Sequence, residues 1–137
     1  MAQSKTQTIN QILASSKAAQ QELYDKELQL KARREKIKDT GYDGPLTPAQ
    51  IAELKAITAS QGALAEMQTE ISVMTVTSLN QSAEVTRLVN VVTAINEDLK
   101  GKLDQLNAIS KTITGLGNLF KQLANVITGL GALAALF

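Results

Sequence analysis

The sequence predicts an all-α protein: an elongated helical hairpin whose long C-terminal helix carries a heptad pattern and assembles through coiled-coil-like packing. Of its 137 residues, 44% are hydrophobic but only 3% are aromatic, so the apolar set is mainly Ala, Leu, Ile and Val. These residues recur at helical spacing along most of the chain. Both prolines fall in one short segment together with two glycines, which indicates a single turn between two helical regions.

The N-terminal segment, residues 1–38, is predicted to be helical from about Thr6 to about Lys38. No Gly or Pro interrupts this stretch, and polar residues fill the gaps between its apolar positions. Those apolar positions are Ile9, Ile12, Leu13, Ala19, Leu23, Leu28, Leu30 and Ile37.

Residues 39–47 are predicted to form the turn, because Gly, Pro and Asp are concentrated there. The next helix is expected to begin with Thr47 as its N-cap and Pro48 at the first helical position. Gln50 then stands where a capping box needs its second side chain. Asp39 and Asp43 lack the alternating oxygen ligands of a calcium loop, so no metal site is predicted.

The remaining segment, residues 48–137, is predicted to be one long helical region that can bend near residues 60–62, 75–82 and 101. A heptad frame runs through its apolar assembly region, residues 85–137. The predicted assembly core consists of Val85, Leu88, Val92, Ile95, Leu99, Leu106, Ile109, Ile113, Leu116, Phe120, Leu123, Ile127, Leu130 and Phe137.

Helix length decides what can cover this seam. The first helix is about 50 Å long and, folded back at the linker, reaches only to about Ser82. The seam from Val85 onward therefore needs another partner, because each buried apolar side chain contributes about 1.5–3 kcal/mol. The candidates are other copies of the chain, a different helical protein, a lipid bilayer, or the chain itself if it reverses near residues 78–82 or at Gly101.

The last 25 residues, 113–137, contain a seven-residue repeat. Ile-Thr-Gly-Leu-Gly-Asn-Leu begins at Ile113 and recurs from Ile127 with Ala in place of Asn. The offset of two heptads places small residues on one flank of the seam, at Gly117, Ala124 and Gly131, where two helices can approach closely. Gly115 and Gly129 fall on the outer face, with no predicted packing role. Asn118, Lys121, Gln122 and Asn125 form a polar strip on the opposite side.

Composition excludes several classes of function. The net charge of +1 provides no field for nucleic acid, so no nucleic-acid partner is predicted. The absence of Cys and His removes the usual nucleophile, general base and metal ligands, so we expect no enzyme and no cofactor. The N-terminus lacks the apolar run of a cleaved signal peptide, which favours a cytoplasmic protein or one exported by another route, with membrane association left open.

These features together favour a structural, self-assembling helical protein, a homo-oligomer or filament subunit. With no signal peptide, no Cys, a turn between two helices and a C-terminal heptad helix, the chain resembles the small secreted helical-hairpin proteins that build needles and filaments of bacterial export machines. That resemblance concerns architecture and implies filament formation. The alternative is a membrane-active protein, a pore-forming or translocator component that inserts residues 113–137 into lipid.

Overall fold

The computed structural model describes residues 4–111 and 113–137, and the described residues form helices and connections without a strand. The first three residues of the predicted segment 1–38, and Thr112, lie outside the described residues. Five helices pack against one another. They are α1 (Lys5–Thr40), α2 (Pro48–Ser72), α3 (Val76–Leu79), α4 (Ser82–Ile109) and α5 (Leu116–Ala134).

The four long helices are arranged so that each one contacts two others. Helix α1 lies between α2 and α5, and α4 lies between the same two helices on the far side. Neighbouring helices run antiparallel. Late in α1, Arg33 contacts Glu53 early in α2, and Glu53 in turn contacts Ser110 at the end of α4. Early in α1, Ile12 lies against Gly129 late in α5. The result is an up-down four-helix bundle with α3 as a short turn.

Local chemistry explains where the first helices begin. The Ser4 hydroxyl accepts from the Gln7 amide while the Gln7 side chain accepts from the Ser4 amide, a capping box at the start of α1. Thr47 and Gln50 make the same reciprocal pair at the start of α2, with Pro48 as the first helical residue. The start of the second helix predicted from the sequence is therefore confirmed.

Residues 48–137 do not form a single continuous helix. The chain reverses between α2 and α4, where Thr75 starts a capping box with Ser78, and again between α4 and α5 at residues 110–115. By contrast, the helices run straight through Gly62 and Gly101. The second reversal falls where the heptad frame predicts uninterrupted helix. The chain leaves α4 with Ser110 in an extended conformation and enters α5 through Gly115, whose φ of 74° is incompatible with a right-handed helix.

These reversals bring the chain's own helices onto the predicted seam. Val85, Leu88, Val92 and Leu99 are fully buried inside the bundle. Of the four candidates for covering the seam, the structure shows the chain itself, with its first reversal near residues 78–82. The chain exposes 7645 Å², close to the roughly 6,900 Å² of a typical folded monomer of 14.7 kDa. A long uncovered seam would expose considerably more.

Candidate functional site: the outward side of helix α5

Helix α5 is amphipathic, and its core side is apolar without exception. Five residues spaced three or four apart have no exposed surface at all: Leu119, Leu123, Val126, Leu130 and Leu133. They pack between α1 and α4, the two helices that α5 contacts. Because α5 is joined to α4 only through residues 110–115, this packing fixes its position in the bundle.

The predicted assembly core is divided between the interior and the surface. Eight of its residues are buried within the chain: Val85, Leu88, Val92, Leu99, Leu106, Ile113, Leu123 and Leu130. Ile95, Leu116, Phe120 and Ile127 are half-buried, while Ile109 and Phe137 are exposed. The division arises because the frame describes a helix with one partner, whereas α4 and α5 each contact two other long helices.

The three small residues predicted to line a close contact lie at the surface. Gly117, Ala124 and Gly131 are exposed, and a Cβ atom added at either glycine would meet nothing within 4 Å. Beside them run half-buried apolar residues that pack only partly against the core. We call this surface the α5 strip; it consists of Leu116, Gly117, Phe120, Ala124, Ile127, Gly131 and Ala134.

The other two glycines of the repeat, Gly115 and Gly129, have structural roles within the chain that the sequence did not predict. A Cβ at Gly129 would lie 2.8 Å from Cγ1 of Ile12, so the absence of a side chain lets α1 and α5 approach closely. Gly115 adopts the left-handed conformation that turns the chain into α5. The repeat draws attention to these glycines, but their roles become visible only from the position of α1 and the conformation of the turn.

The predicted polar strip lies on the opposite flank of the exposed surface of α5. Asn118, Lys121 and Asn125 are exposed and Gln122 is half-buried. A groove of 440 Å³ between α1 and α5 runs past Asn125 and is lined mostly by short side chains. The outward side of α5 is therefore divided lengthwise into an apolar, glycine-rich flank and a polar one.

Polar contacts from α1 hold the turn that precedes α5. The Gln29 side chain accepts from the Thr114 amide at 2.9 Å and donates to the Thr114 carbonyl oxygen. Lys26, which is only 1% exposed, extends to Gly115. Burial of the Lys26 ammonium lowers its pKa, but hydrogen bonds to Asp25 and Glu22 outweigh that effect, and the pKa is raised above its ordinary value. Lys26 thus stays charged beneath the turn.

A second polar cluster joins three helices near the same end of the bundle. Glu53 of α2 is 4% exposed and accepts two hydrogen bonds from the Arg33 guanidinium of α1, at 2.7 and 3.1 Å. The hydroxyl of Ser110, which follows α4, donates to the same carboxylate at 2.6 Å. The Arg33 hydrogen bonds outweigh burial and, with Ser110, hold the pKa of Glu53 below its ordinary range.

The chain matches no protein-family model, and no curated protein or solved structure shows significant similarity to it. Within residues 4–111 and 113–137, no group of three carboxylates is placed to hold a metal ion. Among the described helices, none combines the length and the apolar character needed to cross a membrane.

Proposed function

We propose that this protein is a structural, non-enzymatic helix bundle that self-associates, with the α5 strip of one copy packed against the α5 strip of another. One observation carries the proposal. Gly117, Ala124 and Gly131 stand in a row at the surface, flanked by the half-buried side chains of Phe120 and Ile127, and a Cβ atom added at either glycine would meet no described atom within 4 Å.

Helix energetics supports an external role for these glycines. A glycine inside a helix costs about 1 kcal/mol relative to alanine, and the described residues around Gly117 and Gly131 leave room for the alanine side chain at both positions. Gly62 and Gly101 are also exposed in helices, but each stands alone. On α5, Gly117, Ala124 and Gly131 recur every seven positions, the spacing at which two helix backbones can approach along their length.

The spacing also suggests a symmetry. Gly117 and Gly131 are equally distant from Ala124, so an antiparallel pair of α5 helices would place each glycine beside the other copy's second glycine. Such a face is self-complementary, as a twofold interface requires. In this arrangement two faces of α5 make helix–helix contacts. Leu123 and Leu130 hold α5 in its own bundle, and the α5 strip forms coiled-coil-like contacts with the next copy.

Cysteine cross-linking tests this arrangement, because the chain has no cysteine of its own. Ala124→Cys places the two thiols at the twofold axis, so mild oxidation should give a disulfide-linked dimer in high yield. Asn118→Cys, exposed on the polar flank of the same helix, is the matched control and should remain largely monomeric. Equal cross-linking of the two variants would contradict the proposal.

Membrane activity is a second candidate, favoured by the division of α5 between a fully buried apolar side and a polar strip that carries a single cation, Lys121. Such a helix suits the plane of a lipid interface once it is released from the bundle. Flotation with anionic and neutral vesicles, combined with limited proteolysis, tests this function. Vesicle binding accompanied by new cleavage near residues 110–115 would support it, and failure to float would count against it.

A further inference from the structure

The outward side of α1 carries an apolar pair that the bundle does not use. Tyr24 and Leu28 lie one turn apart and are 59% and 46% exposed. At 100° per residue they point away from the core side of α1, where Leu23 and Leu30 are fully buried. These two large apolar side chains form a small apolar patch on the solvent side of an otherwise polar helix face.

Opposite charges flank this pair at equal distances. On the same face, Lys17 lies seven residues before Tyr24 and Glu35 lies seven residues after Leu28. Both are exposed, and neither has an ion-pair partner in the described part of the chain. They are 18 residues apart on one helix, about 27 Å, so they cannot pair with each other.

We propose that this face of α1 is a second self-association surface, which binds the same face of another copy with the two helices antiparallel. A twofold axis that crosses the outward face of α1 midway between Tyr24 and Leu28 would place Tyr24 of each copy against Leu28 of the other. The same axis would pair each Lys17 with the partner copy's Glu35. Apolar contact at the centre and opposite charges at both ends make the face complementary to itself.

The surface beside Tyr24 also has room for a partner's side chain. A groove of 270 Å³ between α1 and α2 is lined by Gln20, Tyr24, Gln68 and Ser72. In the antiparallel arrangement, the Leu28 side chain of the second copy lies over this groove. A leucine seated in it would be enclosed between two helices, as in knobs-into-holes packing.

This surface does not depend on the α5 strip, because it lies on the flank of α1 next to α2, whereas α5 covers another side of α1. One twofold surface alone gives a dimer. Two different twofold surfaces on one chain generate an open row of subunits in which the two contacts alternate. If both surfaces are used, the protein should therefore form filaments whose length increases with concentration.

Charge reversal at Lys17 and Glu35 tests the α1 surface by sedimentation velocity. Lys17→Glu alone and Glu35→Lys alone should each raise the dissociation constant about tenfold, because like charges then face each other twice in the dimer. The double variant restores both opposite-charge pairs and should regain the original association. Because the two residues cannot meet within one chain, such rescue reports contact between copies.

Lys36→Glu is the matched control for Lys17→Glu, since it makes the same change in net charge at an exposed position of α1 away from this face. The series is repeated with Gly117→Leu and Gly131→Leu present, so that the α5 strip no longer contributes. Rescue in both backgrounds supports the α1 surface whether or not α5 self-associates. Failure of the double variant to recover, or an equal effect of Lys36→Glu, would overturn the proposal.

Discussion

Helices α1 and α5 pack against each other, yet they are stabilised in opposite ways. Helix α1 has 36 residues with no glycine, and it begins with a complete capping box. Helix α5 has 19 residues, and its N-cap Gly115 makes no side-chain hydrogen bond to it. It also contains three glycines, Gly117, Gly129 and Gly131. Local interactions therefore favour α1, whereas α5 depends on its neighbours.

This difference indicates that α1 and α5 have different roles in the bundle. Helix α1 serves as the scaffold against which α2 and α5 both pack. Three glycines lower the helix propensity of α5, and one of them, Gly129, allows a close contact with α1. At Gly117 and Gly131 the described residues leave open space where a side chain would lie, and this space is the basis for placing the self-association surface on α5.

The largest effect is expected from removing a core contact of α5. Leu123→Ala should reduce the free energy of unfolding by about 3 kcal/mol, because a fully buried leucine leaves a cavity. Leu136→Ala, at an exposed position just beyond α5, should change stability by less than about 0.5 kcal/mol. Urea denaturation measures both variants, and a loss below about 1 kcal/mol for Leu123→Ala would show that packing does not hold α5.

Glu53→Gln tests the polar cluster that joins α1, α2 and the end of α4. It should cost about 2 kcal/mol at neutral pH, because Arg33 and Ser110 lose a charged acceptor. Since the pKa of Glu53 is below its ordinary value of 4.5 in the folded chain, its contribution is complete above that value and is lost as pH falls through the folded pKa. The loss of stability on acidification should thus be smaller in Glu53→Gln than in the wild type.

A matched pair of glycine substitutions compares the two sides of α5. Gly129→Ala should destabilise the protein by about 1 kcal/mol despite better helix propensity, because the new Cβ meets buried Ile12. Gly131→Ala, in open space, should stabilise the monomer by up to about 1 kcal/mol. Thermal unfolding at low protein concentration measures both changes. Equal signs would mean that α5 does not lie against α1 as described.

The smallest effect is expected at the start of α1. Ser4→Ala removes one side of the capping box and should cost about 0.5 kcal/mol, because the cap is exposed and the long helix can fray locally. Hydrogen exchange should show faster exchange confined to the first turn. Faster exchange throughout α1 would instead indicate that its cap, rather than its packing, maintains the whole helix.

The parts of the fold that were predictable from the sequence depend on local chemistry. The uninterrupted pattern before Lys38 and the capping box at Thr47 involve residues close in sequence, and both appear in the structure. The reversal before α5 was not predictable in this way. Gly115 falls on the outer face of an unbroken heptad frame, and its left-handed conformation becomes apparent only with Gln29 and Lys26 of α1 holding the turn.

The same distinction applies to the candidate site. The repeat identified Gly117 and Gly131 as unusual, and their regular spacing placed them on one flank. It could not show that Gly129 contacts Ile12, since that contact exists only after the chain has reversed twice. Nor did it predict that Leu119, Val126 and Leu133, which flank the heptad seam, would be completely buried. A helix with two partners buries a wider face than a two-helix frame describes.

Self-association through the α5 strip is tested most directly by sedimentation velocity of Gly117→Leu combined with Gly131→Leu. The control is Gly62→Leu combined with Gly101→Leu, two exposed helical glycines that also have open space around them. We expect the α5 variant to lose the contact made by the wild type, while the control assembles as the wild type does and both keep their helical circular dichroism. An α5 variant that assembles like the wild type, or a wild type that stays monomeric at high concentration, would contradict the account.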